Sequence, residues 1–265
     1  MCCFSRNVAF VKNTRIFARP LGGGRQAVAY QMNLGAPEDL AMILPLPVQR
    51  DLPAKASAKA EAAAKEGAAD KPLEFVNLEK YPDFFDDLAK GFPVPRSKSL
   101  GDPFASDAAG TIEVEKVGAF DASFVPTARD FARVDERFRL PDGIWEKLGD
   151  YADASFAVFK LRKGETKIHP MAFRFHVRDP RQLFFPTVHI HDGQVHETEN
   201  FDHTLYCQVP IRGLRSLLEW QESPKPALIF AKAGLSQGLL DPKLHVHRRT
   251  IIGKHKNEDT LLPIA

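Results

Sequence analysis

Residues 189–196 read His-Ile-His-Asp-Gly-Gln-Val-His. Neutral imidazole is a ligand for zinc, copper, iron or nickel and a base near neutral pH, so three of them in so short a run are the strongest chemical signal in the chain. Asp192-Gly193 favours a two-residue type I′ turn, because both central residues must take positive φ. A hairpin closed there sets His191 opposite Gln194, Ile190 opposite Val195 and His189 opposite His196. Strand alternation and cross-strand pairing then predict His189, His191 and His196 on one face, within about 5 to 8 Å of one another. That spacing suits three ligands of one ion, with Asp192 on the opposite face serving the turn. Three neutral imidazoles leave a coordination position open, so the expected site is catalytic or sensing rather than purely structural.

Further ligands are expected from Glu197, His203 or Cys207; the last two lie four residues apart on one strand face. A second His-x-His, His245 and His247, completes the set if a late strand pairs nearby. The competing account of all these histidines is a solvated strand face, or a core lining in which each imidazole bonds a backbone carbonyl.

Cys2 offers a different chemistry. Removal of Met1 would expose its α-amine, which can act as base while the thiolate attacks a carbonyl. The strand that follows, with Arg15-Ile-Phe-Ala-Arg19, suits an N-terminal nucleophile hydrolase. A cysteine pair opening a strand serves equally as a packed start or as soft metal ligands. The third reading is a non-catalytic, β-rich binding or structural domain whose histidines hold nothing.

Composition narrows the field. The chain has 265 residues, with 20 Phe and 20 Pro, a load that suits short strands and irregular connections better than a helical bundle. With 36 basic and 34 acidic residues the net charge is only +2, so the chain lacks the basic footprint of a nucleic-acid binder. Apolar runs such as Leu40 to Val48 are broken by proline and fall short of the roughly 20 residues that span a bilayer. The amino terminus shows no signal-peptide pattern, and three cysteines, two of them adjacent, make no disulfide framework; both point to the cytoplasm. The expected partner is a small molecule or a protein.

The elements that must hold the histidines are mostly strands. Asn7 to Arg19, Arg25 to Leu34 and Leu40 to Val48 read as three strands, with Gly22-Gly23-Gly24 closing a hairpin between the first two. The third is apolar on both faces and is expected at a sheet centre. Residues 51–72 form an Ala/Lys-rich insert; its central part, Ala54 to Asp70, has no large apolar residues to bury and is expected to be dispensable. Leu73 to Asn77 reads as a strand, Tyr81 to Ala89 as a helix with Phe84, Phe85 and Leu88 on one stripe, and Thr111 to Val117 and Phe120 to Val125 as strands. Thr127 to Val134 and Pro141 to Tyr151 read as helices. Beyond Ala154 an antiparallel meander is expected: Ser155 to Arg162, Ile168 to His176, Leu183 to His191 and Gln194 to Pro210. A helix over Arg212 to Gln221 and strands at Ala227 to Ala231 and Leu244 to Ile252 complete it. The expected fold is α+β, a single β-rich domain over 1–265 of predominantly antiparallel sheet with a few short helices packed on it.

Several segments carry a family resemblance: Met1-Cys2-Cys3-Phe4, the run Glu38 to Pro47, Val117-Gly118-Ala119-Phe120, Tyr151 to Leu161, His169 to Phe175, and Phe185-Pro186. Together they resemble a bacterial family of unknown function, domain of unknown function 2330, over about residues 1–191. The resemblance implies a fold and no activity. Members of that family typically look exported, whereas this chain has no recognisable signal, and the histidine hairpin is not part of the family pattern.

Overall fold

The structure is a computed structural model that describes residues 2–49, 71–93, 121–140, 143–147, 151, 153–167, 169–209 and 217–264. Its strands, in chain order, are β1 (Cys2–Phe4), β2 (Phe10–Leu21), β3 (Arg25–Ala36), β4 (Leu40–Leu46), β5 (Leu73–Asn77), β6 (Ala122–Val125), β7 (Ser155–Leu161) and β8 (Gly164–Lys167). They continue with β9 (Met171–His176), β10 (Gln182–Phe185), β11 (His189–Ile190), β12 (Thr198–Cys207), β13 (Gln221–Glu222), β14 (His247–Lys256) and β15 (Thr260–Pro263). Among the described residues two α-helices, α1 (Phe84–Lys90) and α2 (Ile144–Lys147), and several 3-10 turns accompany them. The fold is β-rich, mixed but mostly antiparallel, as the composition implies.

The long hairpin of β2 and β3 is closed by Gly23 and Gly24, both at positive φ. It forms the middle of a large sheet ordered β13-β14-β12-β2-β3-β9-β5, with β8 also on β3. A five-stranded sheet, β11-β1-β4-β7-β6, covers one face. Alternation along the hairpin sends Ile16, Ala18, Val28 and Tyr30 into the core beneath that cover, and Phe17, Ala27 and Ala29 into a second core on the other side. The two sheets meet through aromatic rings: Phe159 of β7 lies 5.5 Å from Phe75 and 6.2 Å from Phe173. β4 runs between β1 and β7 with all seven residues buried, which is why its sequence is apolar on both faces.

The second core is closed by α1, whose Phe84 packs edge-on against Phe17 at 5.5 Å, and by the 3-10 turns after Ala227. The Tyr81 hydroxyl ties the two covers together: it donates to the buried Asp87 carboxylate at 2.9 Å and accepts from the Lys232 N–H at 2.8 Å.

Several expectations are corrected. The strands after Ala154 do not form a meander: β7 joins β4, β9 joins β3, β10 joins β15, and β12 lies parallel to β2 and antiparallel to β14. Partners far apart in sequence win because each strand must find a buried face, and the nearest strand does not offer one. Ala227–Ile229 is a 3-10 turn, not a strand, and the late strand starts at His247 and runs on to Lys256. Thr127 precedes a 3-10 helix, Ala128–Arg133, and its hydroxyl bonds the Asp130 carboxylate at 2.7 Å rather than a backbone N–H. The insert at 54–70 and the strand at 111–117 lie outside the described residues, as does the helix expected from Arg212 until residue 217. Among the described residues, no helix is long and apolar enough to cross a membrane.

Leu44 is fully buried at the centre of β4. Leu44→Ala is expected to lower stability by about 2 to 5 kcal/mol, because the cover sheet cannot collapse around the cavity. Urea unfolding followed by tryptophan fluorescence measures it.

Candidate imidazole site

The predicted hairpin is not formed. β11 is only two residues long and lies at the edge of its sheet, paired in parallel with β1, Cys2 opposite His189 and Cys3 opposite Ile190, while the Asn257 side chain takes the His189 backbone groups and no strand carrying His196 pairs with it. The type I′ turn is absent as well: Gly193 has φ 74°, but Asp192 is not at positive φ, and its side chain instead accepts the Gln194 N–H at 3.0 Å. His196 is exposed and its Nε2 meets the Asp192 carboxylate at 2.9 Å, which raises the histidine pKa and lowers that of the acid. Asp192 thus serves both the turn and His196, and His196 is not brought to the other two histidines.

His203 takes that place. It lies on β12, and its Nε2 meets His189 Nε2 at 2.8 Å. Both side chains are buried, at 1% and 3% exposure. His191 stacks on His189 with ring centres 4.8 Å apart, Phe4 lies 5.6 Å beyond His191, and Phe201 covers the other face of His189 at 4.6 Å. The result is a column of four rings, Phe4, His191, His189 and Phe201, with His203 abutting its middle.

Burial holds these imidazoles neutral. Desolvation pushes the pKa of His189 and of His203 far below the usual histidine value, and that of His191 down to about 4. The positive amino terminus lowers all three further. In the neutral pair one Nε2 donates and the other accepts, so the two rings hold opposite tautomers. Three ring nitrogens are then buried with no hydrogen-bond partner: Nδ1 of His189, Nδ1 of His203 and Nε2 of His191. Among the described residues no group of three or more His, Cys, Asp or Glu is arranged to hold a metal ion. His191 stacks on His189, and the 2.8 Å between the His189 and His203 Nε2 atoms is shorter than the roughly 3.4 Å between two nitrogens on a tetrahedral ion.

No family model matches this chain, and no curated protein matches it. Among solved structures, baculovirus P35 superposes with a TM-score of 0.47 at 11% identity, over 97% of each chain. P35 in the caspase-8/P35 complex gives 0.45 at 11% identity over 96% of each, and a mutated baculovirus P35 after caspase cleavage gives 0.44 at 12% over 97% of this chain and 98% of that one. At these values the likeness carries no inference about this chain.

The remaining sequence candidates fall in two places. Cys207 is buried on β12 opposite His247, and burial pushes its thiol pKa well up, so it is an inert thiol. His247 and His245 face Glu222, at 4.0 and 3.5 Å, apart from the imidazole column. Glu197 is exposed beside His196 and lines an open cleft of about 570 Å³ together with His191, Asp192 and Glu199. What sequence reasoning missed are the residues that grip β11 from behind. The Asn257 carboxamide accepts the His189 N–H at 2.7 Å and donates to the His189 carbonyl at 2.9 Å and the His196 carbonyl at 3.1 Å. Asp259 accepts the N–H groups of Thr187 and Val188 at 2.7 and 3.0 Å and the Tyr151 hydroxyl at 2.6 Å. Nothing in Asn257-Glu258-Asp259 beyond turn composition signals this.

The imidazoles make metal-free protein acid-sensitive. Above the ordinary histidine pKa both folded and unfolded states are neutral at these sites. Below it the unfolded chain takes up protons that the folded chain refuses, until His191 titrates near 4. Stability is therefore expected to fall from about pH 6.5 downward, by up to about 1.4 kcal/mol per pH unit for each histidine. Urea midpoints of the native chain and of His203→Phe across that window test it, the variant giving the shallower slope.

Proposed function

We propose that the chain binds a transition-metal ion through His189 and His203, with His191 as third ligand and the open cleft beside it as the approach for a reacting molecule. The 2.8 Å contact between two buried neutral imidazoles carries this reading, supported by the three partnerless ring nitrogens around it. Neutral imidazole nitrogens are the donors that zinc, copper and iron accept. Binding needs the His189 to His203 hydrogen bond to open by about half an ångström to reach ligand spacing, and His191 to turn its Nε2 out of the stack. The ion, once bound, would supply Lewis-acid polarisation or an activated water. The protein's own part is to exclude bulk water with Phe4 and Phe201, to hold His189 through Asn257, and to present His191 at the cleft. His196, on the far wall of that cleft, is not among the ligands.

Elemental analysis of untagged protein grown with zinc, copper and iron tests the reading. The native chain and His196→Ala are expected to retain about one ion each, and His189→Ala/His203→Ala to lose it. Equal content in native and double variant, or no metal in any, sinks the proposal; circular dichroism of each sample shows that the variants fold.

A second reading rests on the pairing of Cys2 with His189 and on the influence of the amino-terminal charge at all three imidazoles. Here Cys2, freed by loss of Met1, is a nucleophile and its own α-amine the base that takes the thiol proton. Intact mass gives the state of Met1. Alkylation at neutral pH is then expected to label Cys2 far faster than the buried Cys207 and faster than a free cysteine; a rate no higher than that of free cysteine removes this reading.

A further inference from the structure

A cavity of about 640 Å³ opens behind the imidazole site, on the far side of His196 and Glu197. Its volume lies inside the range of small-molecule pockets. Its apolar lining is Ala154, Val177, Phe184, Val195 and Leu261. The polar lining is mostly charged, and most of that charge is matched within the protein: Lys256 pairs with Glu258, and Asp179 with Arg181 at 2.9 Å. Asp259, which also lines the cavity, has both carboxylate oxygens engaged by Tyr151, Thr187 and Val188. Two cations are left over. Among the described residues Arg178 donates to the Asp153 carbonyl at 2.6 Å, and neither it nor Lys147 has a carboxylate partner there. Against them stands a single acid, Glu197, at the His196 end.

We propose that this cavity binds a small amphipathic anion, its aliphatic or aromatic body against Phe184, Val195 and Leu261 and its carboxylate or sulfonate between Arg178 and Lys147. Burying the body supplies the apolar driving force, and the guanidinium offers the planar donor pair that such oxyanions take. A neutral molecule of the same shape leaves both cations as they are and gains only the apolar contact. The site is independent of any metal at the histidines.

Fluorescence of 8-anilinonaphthalene-1-sulfonate with the full chain tests it, followed by displacement with octanoate and with octanol. Saturable binding is expected, with octanoate about tenfold or more stronger than octanol. Arg178→Glu/Lys147→Glu is expected to erase that preference, and Leu261→Asp to weaken both competitors while the protein stays folded by circular dichroism. Absence of saturable binding, equal displacement by octanoate and octanol, or an unchanged preference in the charge-reversed variant overturns the proposal.

Discussion

Burial of the β2–β3 hairpin on both faces is the constraint from which the rest of the structure follows. Ile16, Ala18, Val28 and Tyr30 point one way and Phe17, Ala27 and Ala29 the other, so this hairpin cannot rest with one side in water. It needs two covers. The five-stranded sheet supplies one, and α1 with the turns after Ala227 the other. Building both from a chain in which neighbours in sequence are rarely neighbours in space forces long crossovers, and one of these lays β12 parallel to β2. His203 reaches the centre of the molecule on that strand, where β11 of the cover sheet brings His189 to meet it.

β11 is too short to hold itself. Two residues give few ladder bonds, and a two-residue pairing has little stability of its own. Side chains from the turn between β14 and β15 substitute for the missing ladder: Asn257 satisfies both backbone groups of His189, and Asp259 accepts the N–H groups of Thr187 and Val188. Burial raises the Asp259 pKa while its donors lower it, and the balance is a raised value, so this anchor is itself held against its solvation. The position of the imidazoles is therefore set by residues almost seventy positions downstream in sequence.

This explains what was legible beforehand. β2, β3 and β4 could be read because each is a long or continuously apolar run, and α1 because Phe84, Phe85 and Leu88 are buried on one stripe. At Asp192-Gly193 only a local part was legible: Gly193 takes positive φ and the Asp192 side chain accepts the Gln194 N–H, but Asp192 does not take the positive φ that a type I′ turn needs. The fate of the flanks could not be read, since the His189 backbone groups go to the Asn257 side chain and β11 pairs with β1. The nearness of His189 and His191 follows from their spacing of two, while the exchange of His196 for His203 depended on a sheet-to-sheet contact that no periodicity encodes. Parallel pairing of β12 with β2 leaves no local mark either, because a parallel partner arrives from a distant part of the chain.

Packing alone does not account for histidine at 189, 191 and 203. The column between Phe4 and Phe201 is filled by flat rings, and phenylalanine would fill it with the same dispersion contact and more favourable transfer from water. Imidazole adds nitrogens that burial strips of water without giving each a partner, at about 1 to 3 kcal/mol for each group left unsatisfied. A carboxylate in the same place would carry the heavier penalty of an unpaired buried charge. Histidine is the side chain that keeps a ring shape, stays neutral in low dielectric and still offers a lone pair, so the property it adds to this core is a chemical one.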